Sequence, residues 1–292
     1  MTLPLRVHNL SKEYKDFSLT DVSFTLKNNS VMGFIGPNGS GKSTTIKLIM
    51  NLVKRDSGQI ELFGLDNLKD EKRIKQKIGF VFDENHFHET LTVHEMKNVI
   101  RGFYDQWDEN LFQKYVHDFE LPLKKQIKDL SKGMKMKFSL AIALSHNADL
   151  LIMDEPTSGL DPLVRSEFID ILKLYVQDKN KSVFFSTHIT SDLEKIADQI
   201  TLIYKGKIIF TRNKDELMAK HCLVRGNPDA LDTMGEQMFI GLKKDQHEFV
   251  GLAERNDYLE NELGNQVSVE RATLEDIAVF YIEGVKSHVA FD

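Results

Sequence analysis

The stretch GPNGSGKST, residues 36–44, has the residue types and spacing of a loop that wraps phosphate. Gly36, Gly39 and Gly41 let backbone N–H groups turn inward around an anion without Cβ clashes. Asn38 and Ser40 belong to the same loop, and Thr44 closes it. Lys42 reaches the β- and γ-phosphates of a nucleotide, and the Ser43 hydroxyl ligates Mg²⁺. Farther along, LLIMDEP (150–156) is an apolar run ending in two adjacent carboxylates. A buried parallel strand reads that way, and its carboxyl end is where open α/β sheets bind ligands. Asp154 then suits the Mg²⁺, while Glu155 projects to the other side and polarises a water against the γ-phosphate. His188 ends a further apolar run, SVFFSTH, and is read as a γ-phosphate contact at the same sheet edge rather than a polar cap. In LSKGM (130–134), Ser131 and Gly133 sit at a helix start, where N–H groups favour an anion. A plain capping serine is the alternative local reading.

Such residues need a strand before the loop and a helix after it. The spacing predicts a strand over 31–35 and a helix over 41–53, carried by Ile46, Ile49, Met50 and Val53. Further strands are predicted at 5–8, 18–26, 59–63 and 78–82. From about 92 to 146 the pattern is helical, which suggests an inserted helical subdomain. Alternation then resumes: strand 150–153, helix 162–176, strand 182–186, helix 190–196, strand 199–204. Asp161 followed by Pro162 is a strong helix start. Strands alternating with helices imply a largely parallel, helix-covered sheet. Beyond 211 the pattern changes to a small α/β annex. It reads as a hairpin over 237–243 and 247–253, a helix that Gly264 ends, a strand over 266–270 and a helix over 273–283 opened by a T-x-x-D box. The run KDEKRIKQK (69–77) reads as a solvated helix face.

The chain has 292 residues, 41% hydrophobic and 28% charged, which suits about two soluble domains. A formal charge of −6 gives no electrostatic footprint for nucleic acid. The lone cysteine, Cys222, excludes an internal disulfide and suits a reducing compartment. The N-terminal MTLPLRVHNLSKEY does not read as a signal peptide. No stretch approaches the roughly twenty apolar residues that span a bilayer. Any membrane crossing is expected from another chain.

The ordered set GPNGSGKST, LSKGM, LLIMDEP, SGLD (158–161) and STH resembles the nucleotide-binding subunits of ATP-binding-cassette (ABC) transporters, over roughly residues 5–210. The resemblance implies an α/β P-loop NTPase core with a mixed sheet over 1–210. It implies a helical subdomain at about 85–145; the annex over 211–292 is then an accessory α/β domain. It implies ATP and Mg²⁺ as ligands, with Lys42, Glu155 and His188 as the catalytic set. It implies a second copy or a homologous subunit lying head to tail, each ATP clasped between GPNGSGKST of one chain and LSKGM of the other. Ser158 and Asp161 then line the subunit interface, and Tyr14, with Phe17 as the alternative, stacks on adenine. Asp83 stands where the family usually has glutamine or glutamate near the metal, and Glu84 takes that place if the alignment slips by one. Lys132 and Met134 also depart from the family pattern, which has glycine and glutamine there. An integral membrane permease is the implied partner, holding the chain at the cytoplasmic face of the cell membrane. The wording LSKGMKMKF is similar to exporters of amphipathic peptides, including phenol-soluble modulins, so export of a peptide, antibiotic or drug is expected. The alternative is a soluble ATPase clamp, as in metal-cluster assembly.

Overall fold

The computed structural model describes residues 2–82, 87–178, 180–256, 259 and 267–289, and the chain divides between Ile208 and Ile209 into two compact units. The first opens with β1 (Leu5–Glu13) and β2 (Ser18–Leu26), then β3 (Val31–Ile35) and helix α1 (Lys42–Ile49). Next come β4 (Ser57–Leu62), β5 (Leu65–Asp66), α2 (Glu71–Lys75) and β6 (Ile78–Val81). Three helices follow without a strand between them: α3 (Val93–Arg101), α4 (Glu109–Asp118) and α5 (Lys132–Leu144). Alternation returns with β7 (Leu150–Asp154), α6 (Pro162–Tyr175), β8 (Ser182–Thr187), α7 (Thr190–Ile196) and β9 (Gln199–Tyr204), and β10 (Lys207–Asn213) runs across the division.

Two sheets result. β2-β1-β4-β5 is antiparallel, and the second has the order β10-β9-β3-β8-β7-β6. Within the second sheet β9, β3, β8, β7 and β6 run parallel. Every residue of β3, β7 and β8 is buried, which explains the apolar runs at their centres. One apolar core joins the sheets: Leu5, Val22 and Ile60 from the first meet Ile46 and Ile49 of α1 and Met32, Ile152 and Phe184 of the second. Phe24, Phe34 and Phe184 form its aromatic centre, with ring centroids 5.2–5.5 Å apart.

Helix starts follow side-chain chemistry. Asp161 accepts from the N–H groups of Leu163 and Val164, with Pro162 in the first helical turn. Thr92 and Glu95 form a full capping box on α3. Two boundaries differ from expectation. Helix α1 stops at Ile49, because Asn51 turns left-handed at φ 54° and diverts the chain from the apolar spacing that runs on to Val53. Strand β1 runs past His8 to Glu13, because a register shift between Val7 and Leu10 absorbs Asn9 at φ 48°. In 69–77 only Ile74 of α2 is buried, so the solvated reading of that segment stands.

The second unit contains α8 (Lys214–Lys220), β11 (His221–Gly226), α9 (Pro228–Met234), β12 (Phe239–Lys244), β13 (Phe249–Glu254), β14 (Val267–Arg271) and α10 (Leu274–Val289). Its sheet has the order β12-β13-β11-β14, antiparallel throughout. The hairpin and the last helix were legible, and Thr273 and Asp276 close the expected box on α10. Elements α8, β11 and α9 were not anticipated, although Asn213 and Asn227 cap the two helices. The helix expected to end at Gly264 lies outside the described residues. Gly241 and Gly284 let α10 sit backbone to backbone on β12. A Cβ on either would lie 2.1 Å from a carbonyl oxygen, of Phe280 and Ile240 respectively.

Candidate functional site

At the end of β3 the chain leaves the sheet through Gly36 and enters α1 at Lys42. Gly39 and Gly41 take φ values of +77° and +112°, which L-residues with side chains rarely adopt. A Cβ on Gly36 would fall 2.2 Å from the Ile203 carbonyl, so this turn also needs glycine for close packing. Above Gly39 a Cβ would meet nothing within 4 Å, which leaves an open cradle. The loop is pinned from behind: the Ser40 carbonyl accepts from Gly206 N–H at 2.9 Å, and the Thr45 hydroxyl donates to the Gly41 carbonyl at 2.9 Å. Ser40 Oγ is buried with no hydrogen-bond partner among the described residues.

Lys42 is only 6% exposed, and its Nζ donates to the Gly36 carbonyl at 2.8 Å. It also lies 3.2 Å from Glu155 Oε1. Glu155 Oε2 is 2.7 Å from His188 Nδ1 and accepts from His188 N–H at 3.1 Å. One carboxylate therefore bridges the lysine and the histidine. Glu155 has φ 48°, an uncommon conformation for a non-glycine residue, and its N–H is held by the Ser186 carbonyl at 2.9 Å. Beside it Asp154 is 6% exposed and accepts from Ser186 Oγ at 2.6 Å. Ser186 lies opposite Asp154 in the parallel register of β7 and β8, so strand pairing itself sets this contact.

A cleft of about 780 Å³ gathers Asn38, Gly39, Gly41, Lys42, Ser43, Thr44, Glu155, Ser158 and His188. Asp16, Phe17 and Lys132 also line it. Tyr14 is not in that lining; it sits on the turn beside Phe17, donates its N–H to the Phe17 carbonyl, and is 42% exposed. Ser131 caps α5 by accepting from Met134 N–H at 3.2 Å, and Gly133 follows on the same turn, both outside the lining. Asp161 is the N-cap of α6. Asp83 and Glu84 lie outside the described residues. A network absent from the sequence reading ties these loops together. Asp192, fully buried, accepts from Thr157 Oγ1 at 2.8 Å and from Arg165 Nε at 2.6 Å. It links the turn after Glu155 to α6 and α7, and its partners lie too far apart in sequence for a local pattern.

The residues fit a nucleoside triphosphate with a divalent cation. The open cradle over Gly39, the orphaned Ser40 hydroxyl and the inward Lys42 suit phosphate, and the Ser43 hydroxyl with Asp154 is a hard-oxygen donor set. A phosphate loop between a buried parallel strand and a helix, facing a carboxylate pair, defines a P-loop ATPase. The ABC transporter family profile matches residues 19–158. The bacitracin transport ATP-binding protein BcrA of Bacillus licheniformis is 32% identical over 72% of this chain and 69% of the relative. The linearmycin resistance ATP-binding protein LnrL of Bacillus subtilis (strain 168) is 35% identical, over 74% and 71%. The lantibiotic transport ATP-binding protein SrtF of Streptococcus pyogenes is 32% identical, over 72% and 91%. Among solved structures, the ATP-binding subunit of an ABC transporter superposes with TM-score 0.67 at 27% identity, over 74% of this chain and 92% of that one. The cassette MJ0796, a dimer in a post-hydrolysis state with ADP and Pi, shares the fold at TM-score 0.64 and 23% identity, over 72% and 98%. This chain belongs to the ABC transporter family as an ATP-binding, ATP-hydrolysing subunit. Among the described residues no helix is long and apolar enough to cross a membrane.

Proposed function

We propose that two chains, copies or homologues, clasp two ATP molecules head to tail and drive a separate membrane permease that exports peptides, antibiotics or drugs. The reading rests on one observation above all: Glu155 is held between Lys42 at 3.2 Å and His188 at 2.7 Å, at the mouth of the phosphate loop. The incoming γ-phosphate competes for Lys42. Lys42 then turns from the Gly36 carbonyl and Glu155 towards phosphate oxygens, and Glu155 Oε1 is left to accept a proton from the attacking water. His188 keeps hold of Oε2 and orients the carboxylate while its exposed ring faces the phosphate. Ser43 and Asp154 would hold Mg²⁺, which neutralises charge on the phosphate oxygens. Ser131 and Gly133, outside the cleft of their own chain, are free to meet the partner's ATP. Ser158 and Asp161 lie beside that face. The exposed Tyr14 ring stacks on adenine, with Phe17 as a second wall.

Export is favoured over metal-cluster assembly because the similar subunits carry the names of bacitracin and lantibiotic transport and linearmycin resistance. The permease anchors the chain at the cytoplasmic face of the membrane, since among the described residues no helix is long and apolar enough to cross it. The test is Glu155→Gln. Steady-state hydrolysis should fall by roughly 10²–10⁴, the usual worth of a general base, while ATP should still produce a dimer in sedimentation. Near-normal turnover in that variant would remove Glu155 from the chemistry.

A further inference from the structure

Lys132 opens α5 beside the capping Ser131, yet its side chain does not stay with that helix. The three atoms nearest an ideal Cβ on Gly159 all belong to it: Nζ at 2.8 Å, Cδ at 3.6 Å and Cε at 3.6 Å. The lysine stem is therefore laid along the bare face of Gly159, which turns at φ +68°, and a side chain there would displace it. Ser158, the preceding residue, donates its N–H to the Glu155 carbonyl at 3.1 Å. This turn brings Lys132 to the Glu155 side of the cleft, where it joins the lining with Gly39, Lys42 and His188. Lys42 is already engaged with the Gly36 carbonyl and Glu155. Lys132 Nζ has no hydrogen bond or ion pair among the described residues.

We propose that Lys132 is a specificity residue for the nucleotide bound by its own chain, donating a cation across Gly159 to the terminal phosphate and favouring a triphosphate over a diphosphate. The inference rests on the nucleotide reading of the Lys42 cleft. An unengaged ammonium at the rim gains most when the outermost phosphate oxygens arrive, because a charge-assisted contact then replaces solvent. The lysine is exposed, so the gain is modest and screened by salt. A diphosphate ends one group short and does not reach it. The segment otherwise read as gripping the partner's ATP thereby also senses the ATP at home.

The test uses the full chain at a concentration where sedimentation shows only monomer, so no partner contributes to the cleft. ATP and ADP, each with Mg²⁺, are titrated against wild type, Lys132→Ala, Lys132→Arg and Lys42→Ala. Lys132→Ala should weaken ATP roughly three- to tenfold and leave ADP within about twofold of wild type. Lys132→Arg should restore the preference, and added salt should shrink the difference. Equal ATP affinity in Lys132→Ala and wild-type monomers overturns the proposal. So does an effect confined to concentrations where dimers form, because Lys132 would then serve the partner's nucleotide. If Lys42→Ala binds as tightly as wild type, the cleft assignment itself fails, and this inference falls with it.

Discussion

A Cβ on Gly133 would meet nothing closer than Val164 Cγ1 at 3.5 Å, an ordinary contact. Nothing within its own chain demands glycine there, unlike Gly36 or Gly41, whose Cβ atoms would collide at 2.2 and 2.6 Å. On the proposed reading, what calls for glycine there is the partner's ATP, approaching from outside. Gly133→Ala should therefore leave the melting temperature unchanged or slightly raised, since alanine is worth up to about 1 kcal/mol over glycine within a helix. Turnover should fall roughly 10–100-fold, the worth of a charge-assisted N–H contact to phosphate. Melting and ATPase assays on one preparation separate the two effects, and a variant of normal activity would show that no phosphate comes close. Ser186 is the opposite case. Its hydroxyl donates at 2.6 Å to a carboxylate that is only 6% exposed, so Ser186→Ala leaves a buried acceptor short of a donor. The expected cost is about 1–3 kcal/mol in denaturant unfolding, with a higher Mg²⁺ requirement for hydrolysis. An unchanged Mg²⁺ titration would mean that Asp154 does not hold the metal.

Helix α5 opens within the LSKGM segment, so what fixes α5 also fixes the segment proposed to meet the partner's ATP. His146, just beyond its end, is 1% exposed and stacks on Tyr104 with ring centroids 3.8 Å apart. Nδ1 lies 3.1 Å from the Ile142 carbonyl and Nε2 lies 3.0 Å from the Ile78 carbonyl, so the ring joins α5 to β6. Burial holds its pKa below the usual value; the two carbonyls oppose that shift, and Lys181 adds to it. The folded protein thus refuses a proton that the unfolded chain accepts near pH 6.5. The stability linked to His146 is complete above that pH and is lost as pH falls towards the lowered value. Denaturant unfolding from about pH 7.5 to 5.5 should show this slope, and His146→Gln should flatten it. An identical slope in the variant would exclude His146. Legibility also divides at this scale. Strands β2, β3 and β9 and helix α7 appear with the bounds expected from sequence, because buried runs and turn residues mark both ends. The phosphate loop, the carboxylate pair and His188 were legible because short, ordered motifs carry them. The stem of Lys132 on Gly159, the Ser186 clasp on Asp154 and the Asp192 network were not. Each joins residues tens of positions apart, so only strand register and helix docking bring them together.

At the scale of the whole molecule, the cleft of one chain holds the phosphate loop and Glu155, the proposed general base, while Ser131 and Gly133 lie outside it. A complete site on this reading needs two polypeptides, and that can be tested by complementation. Lys42→Ala loses the lysine that grips phosphate but keeps an intact LSKGM surface. Ser131→Arg keeps its own loop but cannot close on a partner's ATP; Ser131 is exposed, so the larger side chain has room, at a cost of about 1 kcal/mol for the lost cap. Each variant alone should be nearly inactive, because each of its paired sites carries one damaged half. In an equal mixture about half of randomly formed pairs are mixed, and one of their two sites has both halves whole. ATPase activity should therefore return to roughly a quarter of the wild-type rate if the sites act independently. A mixture that stays silent, with both variants folded and mixed dimers present, would mean that activity needs both sites or that no site is shared. Ser131→Arg fully active by itself would show that each chain hydrolyses ATP without its neighbour's help.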